Sequence, residues 1–179
     1  MRFFAALVVA VLLSGEARAV CPLDDTLKLC VLNGRSLAAL HSGADRGDWA
    51  VEALSSPVNP ISEPRTGSEF YTMPSGLRFA LHYQEYRNLF SASCTIDIFP
   101  AVAKAGPENW RCSNAELEAF EAGLSAASLG SITKEQRPKS GTAYLMESPS
   151  AWMTVVVADG GTQKGLLNAW VETSVLKRP

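Results

Sequence analysis

Four cysteines, Cys21, Cys30, Cys94 and Cys112, follow a short apolar leader, and this combination constrains the chain more than any other feature. An even number of cysteines in an exported chain points to two disulfides, because bridges persist in oxidising compartments. Three pairings are open. Spacing favours the local one, Cys21 with Cys30 and Cys94 with Cys112, since each pair brackets a short segment and the two clusters lie far apart. Loops of that size would each contribute about 3 kcal/mol in the chain-entropy model. Redox chemistry or metal binding is the alternative use. Neither pair is C-x-x-C, and His41 and His82 lack the close spacing of zinc ligands, so no metal and no cofactor are expected.

Export is read from residues 1–19, which have the three parts of a secretory signal peptide. Arg2 supplies the positive charge, Phe3 to Leu13 the apolar stretch, and Ala17-Arg18-Ala19 the small-x-small cleavage site. The apolar run falls short of the roughly 20 residues needed to cross a bilayer, so no integral span is expected in the mature chain. That chain would begin at Val20, and residues 20–179 are read as one α+β domain. Cys21 follows Val20 rather than the small residue that lipid attachment wants, which argues against an anchor. No Asn-x-Ser/Thr acceptor occurs, which suits a periplasmic protein better than a glycosylated secreted one.

Composition sets the remaining bounds. The chain of 179 residues is 47% apolar and 19% charged, the balance of a globular protein rather than a disordered or multi-span one. Its net charge is −2, and it stays acidic when Arg2, Arg18 and Glu16 of the leader are set aside. Nucleic-acid binding is not expected, because it calls for a basic excess.

Near the start, Asp24 or Asp25 can cap a short helix in which Leu27, Cys30 and Val31 share a face, with Gly34 at its end. Ser36 to His41 reads as a further helical turn, and Trp49 to Leu54 as a short strand. Residues 55–68 contain Pro57, Pro60 and Pro64 and read as an extended loop. A strand from Phe70 to Met73 then precedes a Pro74-Ser75-Gly76 turn. After it, Leu77, Phe79, Leu81 and Tyr83 alternate with Arg78, Ala80, His82 and Gln84, a strand with one buried and one wet face. Alternation resumes over Ser93 to Phe99, and Pro100 should end it.

Ser113 and Glu116 form an S-x-x-E capping box, with Cys112 and Leu117 placed as a hydrophobic staple. Leu117, Phe120, Leu124 and Ala127 make the apolar stripe of that helix, which closes near Gly130. Residues 133–141 read as a polar connector carrying Lys134, Arg137 and Lys139. Thr142 to Glu147, Ala151 to Ala158 and Gly165 to Leu176 then read as strands, with an Asp159-Gly160-Gly161 hairpin cue between the last two. No internal repeat is visible. The expected fold is α+β: an antiparallel sheet of five to six strands ending in a three-strand meander, one main helix on one face, and two disulfides.

Signatures of chemistry are sparse. There is no G-x-S-x-G, P-loop, G-x-G-x-x-G or H-E-x-x-H pattern. His82 shares a polar strand face with Arg78 and Gln84, as a general base would, but an ordinary surface histidine looks the same. The loop bearing Pro57, Pro60 and Pro64 is either a pre-extended binding element or a plain connection. Phe79, Tyr83, Trp152 and Trp170 suggest a pocket for a small apolar ligand, or simply a core. The reading preferred from these residues is a small exported, disulfide-stapled binding or inhibitory module. It would contact a periplasmic or secreted protein through loop 55–68 and the exposed sheet face, with Arg78 and His82 as candidate contacts. A carrier of an apolar ligand and a hydrolase using His82 are the alternatives.

Overall fold

The computed structural model describes residues 21–53, 64–96, 112–127, 130–137, 141–159 and 167–177. Residues 1–19, read above as a signal peptide, Pro57, Pro60, the Asp159-Gly160-Gly161 turn beyond Asp159 and the end of the strand at Pro100 lie outside the described residues.

The chain enters through α1 (Leu23–Thr26), which runs on into a π-helical stretch, Leu27–Leu32. The cap is not an aspartate. Pro22 stands at the N-cap, and its carbonyl accepts from the Thr26 N–H at 2.9 Å and the Thr26 hydroxyl at 2.8 Å. Asp24 and Asp25 fall inside the first turn, where carboxylates complement the helix dipole. Ser36 caps α2 (Leu37–Gly47), its hydroxyl accepting from the Ala39 N–H at 3.1 Å. Asp48 closes α2 in the left-handed region at φ 54°, a conformation that short polar side chains tolerate.

Among the described residues eight strands follow: β1 (Ala50–Ala53), β2 (Arg65–Thr72), β3 (Arg78–Glu85), β4 (Leu89–Ile96), then β5 (Ser131–Arg137), β6 (Gly141–Ser148), β7 (Ala151–Asp159) and β8 (Leu167–Leu176). Between β4 and β5 lies α3 (Asn114–Ala127). All strands join one antiparallel sheet in the order β1-β2-β3-β4-β8-β7-β6-β5. The strand order therefore reads as two four-strand meanders, each preceded by helix and joined through their last strands, β4 and β8. This duplication is topological and has no counterpart in the sequence.

An antiparallel sheet, helices and two disulfides match the expected class. Its details are corrected: among the described residues there are eight strands rather than five to six and a C-terminal meander of four strands rather than three, while the short helical pieces expected near the start stand beside the main helix. The additional C-terminal strand is β5, read from sequence as part of a polar connector. It is an edge strand exposed along nearly its whole length, so it has no apolar alternation to reveal it, and its charged residues guard the open edge. Similarly, β2 reaches back to Arg65, with Pro64 just before it, where a missing N–H costs no ladder bond.

The disulfides are Cys21–Cys112 and Cys30–Cys94, which replaces the local pairing favoured by spacing. Sequence distance was a poor guide because the first helical segment packs back across the finished sheet. Cys30 is carried on the π-helical stretch to β4, and Cys21 is brought to the start of α3.

One face of the sheet holds the core. Tyr71, Phe79, Leu81, Phe90, Cys94, Met146, Met153, Val155 and Val171 pack there against Leu23, Leu29, Leu40, Phe120 and Leu124 from the helices. The alternation Leu77, Phe79, Leu81, Tyr83 is buried as expected. The capping box also forms: Glu116 accepts from the Ser113 N–H at 2.7 Å, and the Glu116 N–H reaches the Ser113 hydroxyl at 3.3 Å. At the other end of α3, Arg35 donates to the Ala127 carbonyl at 2.6 Å, satisfying one of the helix's terminal acceptors.

Candidate functional site

Because side chains alternate along a strand, burying Phe79, Leu81 and Tyr83 sends Arg78, Ala80, His82 and Gln84 to the outer face. The pairing registers then line these up with residues far away in sequence. Ser68 on β2 lies opposite His82, His82 opposite Ser93 on β4, and Ser93 opposite Glu172 on β8. The adjacent row runs Thr66, Gln84, Ser91, Ser174 and Trp152, from β2 across to β7. Together these rows line a groove of about 500 Å³ on the outer face. That size falls within the roughly 300–1,000 Å³ of small-molecule sites.

Two contacts organise the groove. The Ser68 hydroxyl and His82 Nδ1 are 2.6 Å apart, which orients the imidazole and leaves Nε2 for another partner. The Ser91 and Ser174 hydroxyls share a hydrogen bond of 2.8 Å across the β4–β8 seam. A hydroxyl pair uses only one of its two protons, so one O–H remains for a ligand. Trp152, exposed to 36%, supplies the broad apolar surface at the end of its row. Lys and Arg are absent from the described lining residues.

The sequence-level candidates are dispersed. His82 lies in the groove. Arg78 shares its face but not the groove: its guanidinium stacks 3.5 Å from the Phe70 ring centroid and meets Glu52 at 3.2 Å. Pro64 is half-buried at the mouth of β2, and Pro57 and Pro60 lie outside the described residues. Phe79 and Tyr83 face the core, whereas Trp152 and Trp170 pair into rows of the opposite face, so the four aromatics do not form one pocket.

Catalytic geometry is incomplete. Glu172 is two strands from His82, roughly 10 Å between backbones, with Ser93 between them. An oxyanion hole needs free N–H donors, and β3, β4 and β8 are interior strands whose peptide groups serve the ladders on both sides, whereas on β2 the described pairing with β1 covers only Glu69 to Thr72. Among the described residues no group of His, Cys, Asp and Glu is placed to hold a metal ion.

A second polar cluster sits on the core face. Glu69 is 8% exposed, accepts from the Tyr71 hydroxyl at 2.6 Å, and has both oxygens within 3.2 Å of His41 Nε2. Burial, with the hydrogen bond to Glu69 behind it, raises the Tyr71 phenol far above its ordinary range. This cluster ties α2 to β2 and opens onto no cavity among those described.

The groove serines and Glu172 were missed from the sequence. Hydroxyls at every second position of β4, Ser91, Ser93 and Thr95, were a signal in themselves. Their meeting with Glu172 and Ser174 was not, because β4 and β8 are about 80 residues apart and nothing local announces that they pair. Compared with protein-family models, curated proteins and solved structures, the chain matches none.

Proposed function

We propose that this chain is an exported recognition module that holds its partner in the polar groove of the outer sheet face without turning it over. The observation that carries this reading is the groove itself, a concavity of about 500 Å³ in which strands from both meanders contribute polar side chains. Two disulfides fit an extracellular or periplasmic location, as does the lack of a helix long and apolar enough to cross a membrane among the described residues. The periplasm is the compartment we propose. Division of the aromatics between two faces weighs against an apolar-ligand carrier.

One contact favours the hydrolase reading: the Ser68 hydroxyl on His82 Nδ1. No carboxylate of the described lining stands beside the pair to complete a triad, Glu172 being two strands away, so recognition is preferred. Two measurements on the mature protein decide between them. Amide shifts on adding small polar fragments should cluster on the outer residues of β2, β3, β4 and β8. Hydrolysis of p-nitrophenyl acetate should match that of Ser68→Ala and His82→Ala. Shifts elsewhere only would defeat the recognition reading, and turnover abolished by Ser68→Ala would establish the hydrolase.

A further inference from the structure

We infer that the groove takes a neutral, hydroxyl-rich ligand, a short stretch of uncharged oligosaccharide laid across β3, β4 and β8 with one ring against Trp152. This deepens the recognition reading and rests on it. The lining has no Lys or Arg among the described residues and includes Glu172, so phosphates, sulfates and carboxylates would meet no cation and one repelling charge. An extended peptide is disfavoured for a different reason. Peptides dock on sheets by pairing with an open edge, and here β3, β4 and β8, which make most of the floor, already pair on both sides.

What the groove does offer is side-chain hydroxyls, each able to donate and to accept, together with the planar amide of Gln84 and the ring of His82. Sugar hydroxyls have the same dual character, so each contact can settle in either direction. Trp152 adds a flat apolar face beside Ser174, suited to the C–H face of a pyranose ring, while its neighbours take the ring's hydroxyls.

Calorimetric titration with cellotetraose, maltotetraose and tetra-N-acetylchitotetraose tests the inference, with tetragalacturonate as the anionic counterpart. At least one neutral sugar should bind with a Kd of about 1 mM or tighter, and tetragalacturonate about tenfold more weakly or not at all. Trp152→Ala should weaken binding by about tenfold or more, and Trp152→Phe should restore most of it. No binding by any neutral sugar, undiminished binding in Trp152→Ala, or equal binding of tetragalacturonate would overturn the inference. If small fragments still shift the groove amides while no neutral sugar binds, the ligand class fails and the recognition reading stands. If the fragments also leave the groove unchanged, both fail.

Discussion

Cys30 and Cys94 stand 64 residues apart in the chain and are joined, so the first helical segment is stapled to β4, a central strand of the sheet. The Cys21–Cys112 bridge encloses this one, linking residues 91 apart. Nested bridges of this kind restrict the unfolded chain between residues 21 and 112, about half of its length. Replacing Cys30 and Cys94 together by Ser should cost about 2–5 kcal/mol, read as a fall in urea midpoint. Peptide mapping of the unreduced protein should find Cys21 with Cys112 and Cys30 with Cys94, and recovery of Cys21 with Cys30 would refute the arrangement.

Gly141 opens β6 at φ +84°, and a Cβ there would stand 2.1 Å from the Val157 carbonyl oxygen. Both the backbone conformation and the neighbouring strand exclude a side chain. Gly141→Ala should therefore destabilise by about 2 kcal/mol or more. A thermal midpoint equal to wild type would show that the β6–β7 approach is looser than described.

Glu69 gives the Tyr71 hydroxyl its hydrogen-bond acceptor and holds the His41 ring of α2. Glu69→Ala leaves a buried phenol without its partner, a loss of about 1–3 kcal/mol. Tyr71→Phe in the Glu69→Ala background should recover part of that loss, because it removes the stranded hydroxyl. No recovery in the double variant would mean that the hydrogen bond is not what Glu69 contributes.

Glu121 on α3 receives hydrogen bonds from Lys134 at 2.6 Å and Tyr144 at 2.7 Å, with Lys134 the larger cause of a carboxyl held below its ordinary value of 4.5. A lowered folded pKa contributes stability above the unfolded value and loses it as pH falls through the folded one. Glu121→Gln should thus be less stable than wild type at pH 7, by about 0.5 kcal/mol for so exposed a pair, and the difference should close below pH 4.5. Urea midpoints at pH 7 and pH 3 would show this, and a gap that widened in acid would reverse the assignment.

Local patterns carried far into this structure. The box formed by Ser113 and Glu116 started a helix where it was expected, and the period of two from Leu77 to Tyr83 placed a strand with its buried side correct. The Pro74-Ser75-Gly76 turn closed the β2–β3 hairpin, with Gly76 at φ +87° and its N–H donating to the Met73 carbonyl at 2.8 Å. Each of these signals rests on interactions within a few residues. By contrast β5 left no such trace, since a charged edge strand has only one neighbour and no face to bury along most of its length.

Residue order by itself determined the faces of β3, the capping box of α3, the Pro74-Ser75-Gly76 turn and the even cysteine count, because chain geometry couples near neighbours directly. Tertiary structure alone decided that β4 pairs with β8, that Cys21 meets Cys112, and that His82 shares a groove with Ser91, Glu172 and Trp152. Those meetings are between residues tens of positions apart. They are selected by the joint burial of two meanders and their helices in one core, a condition that no local segment contains.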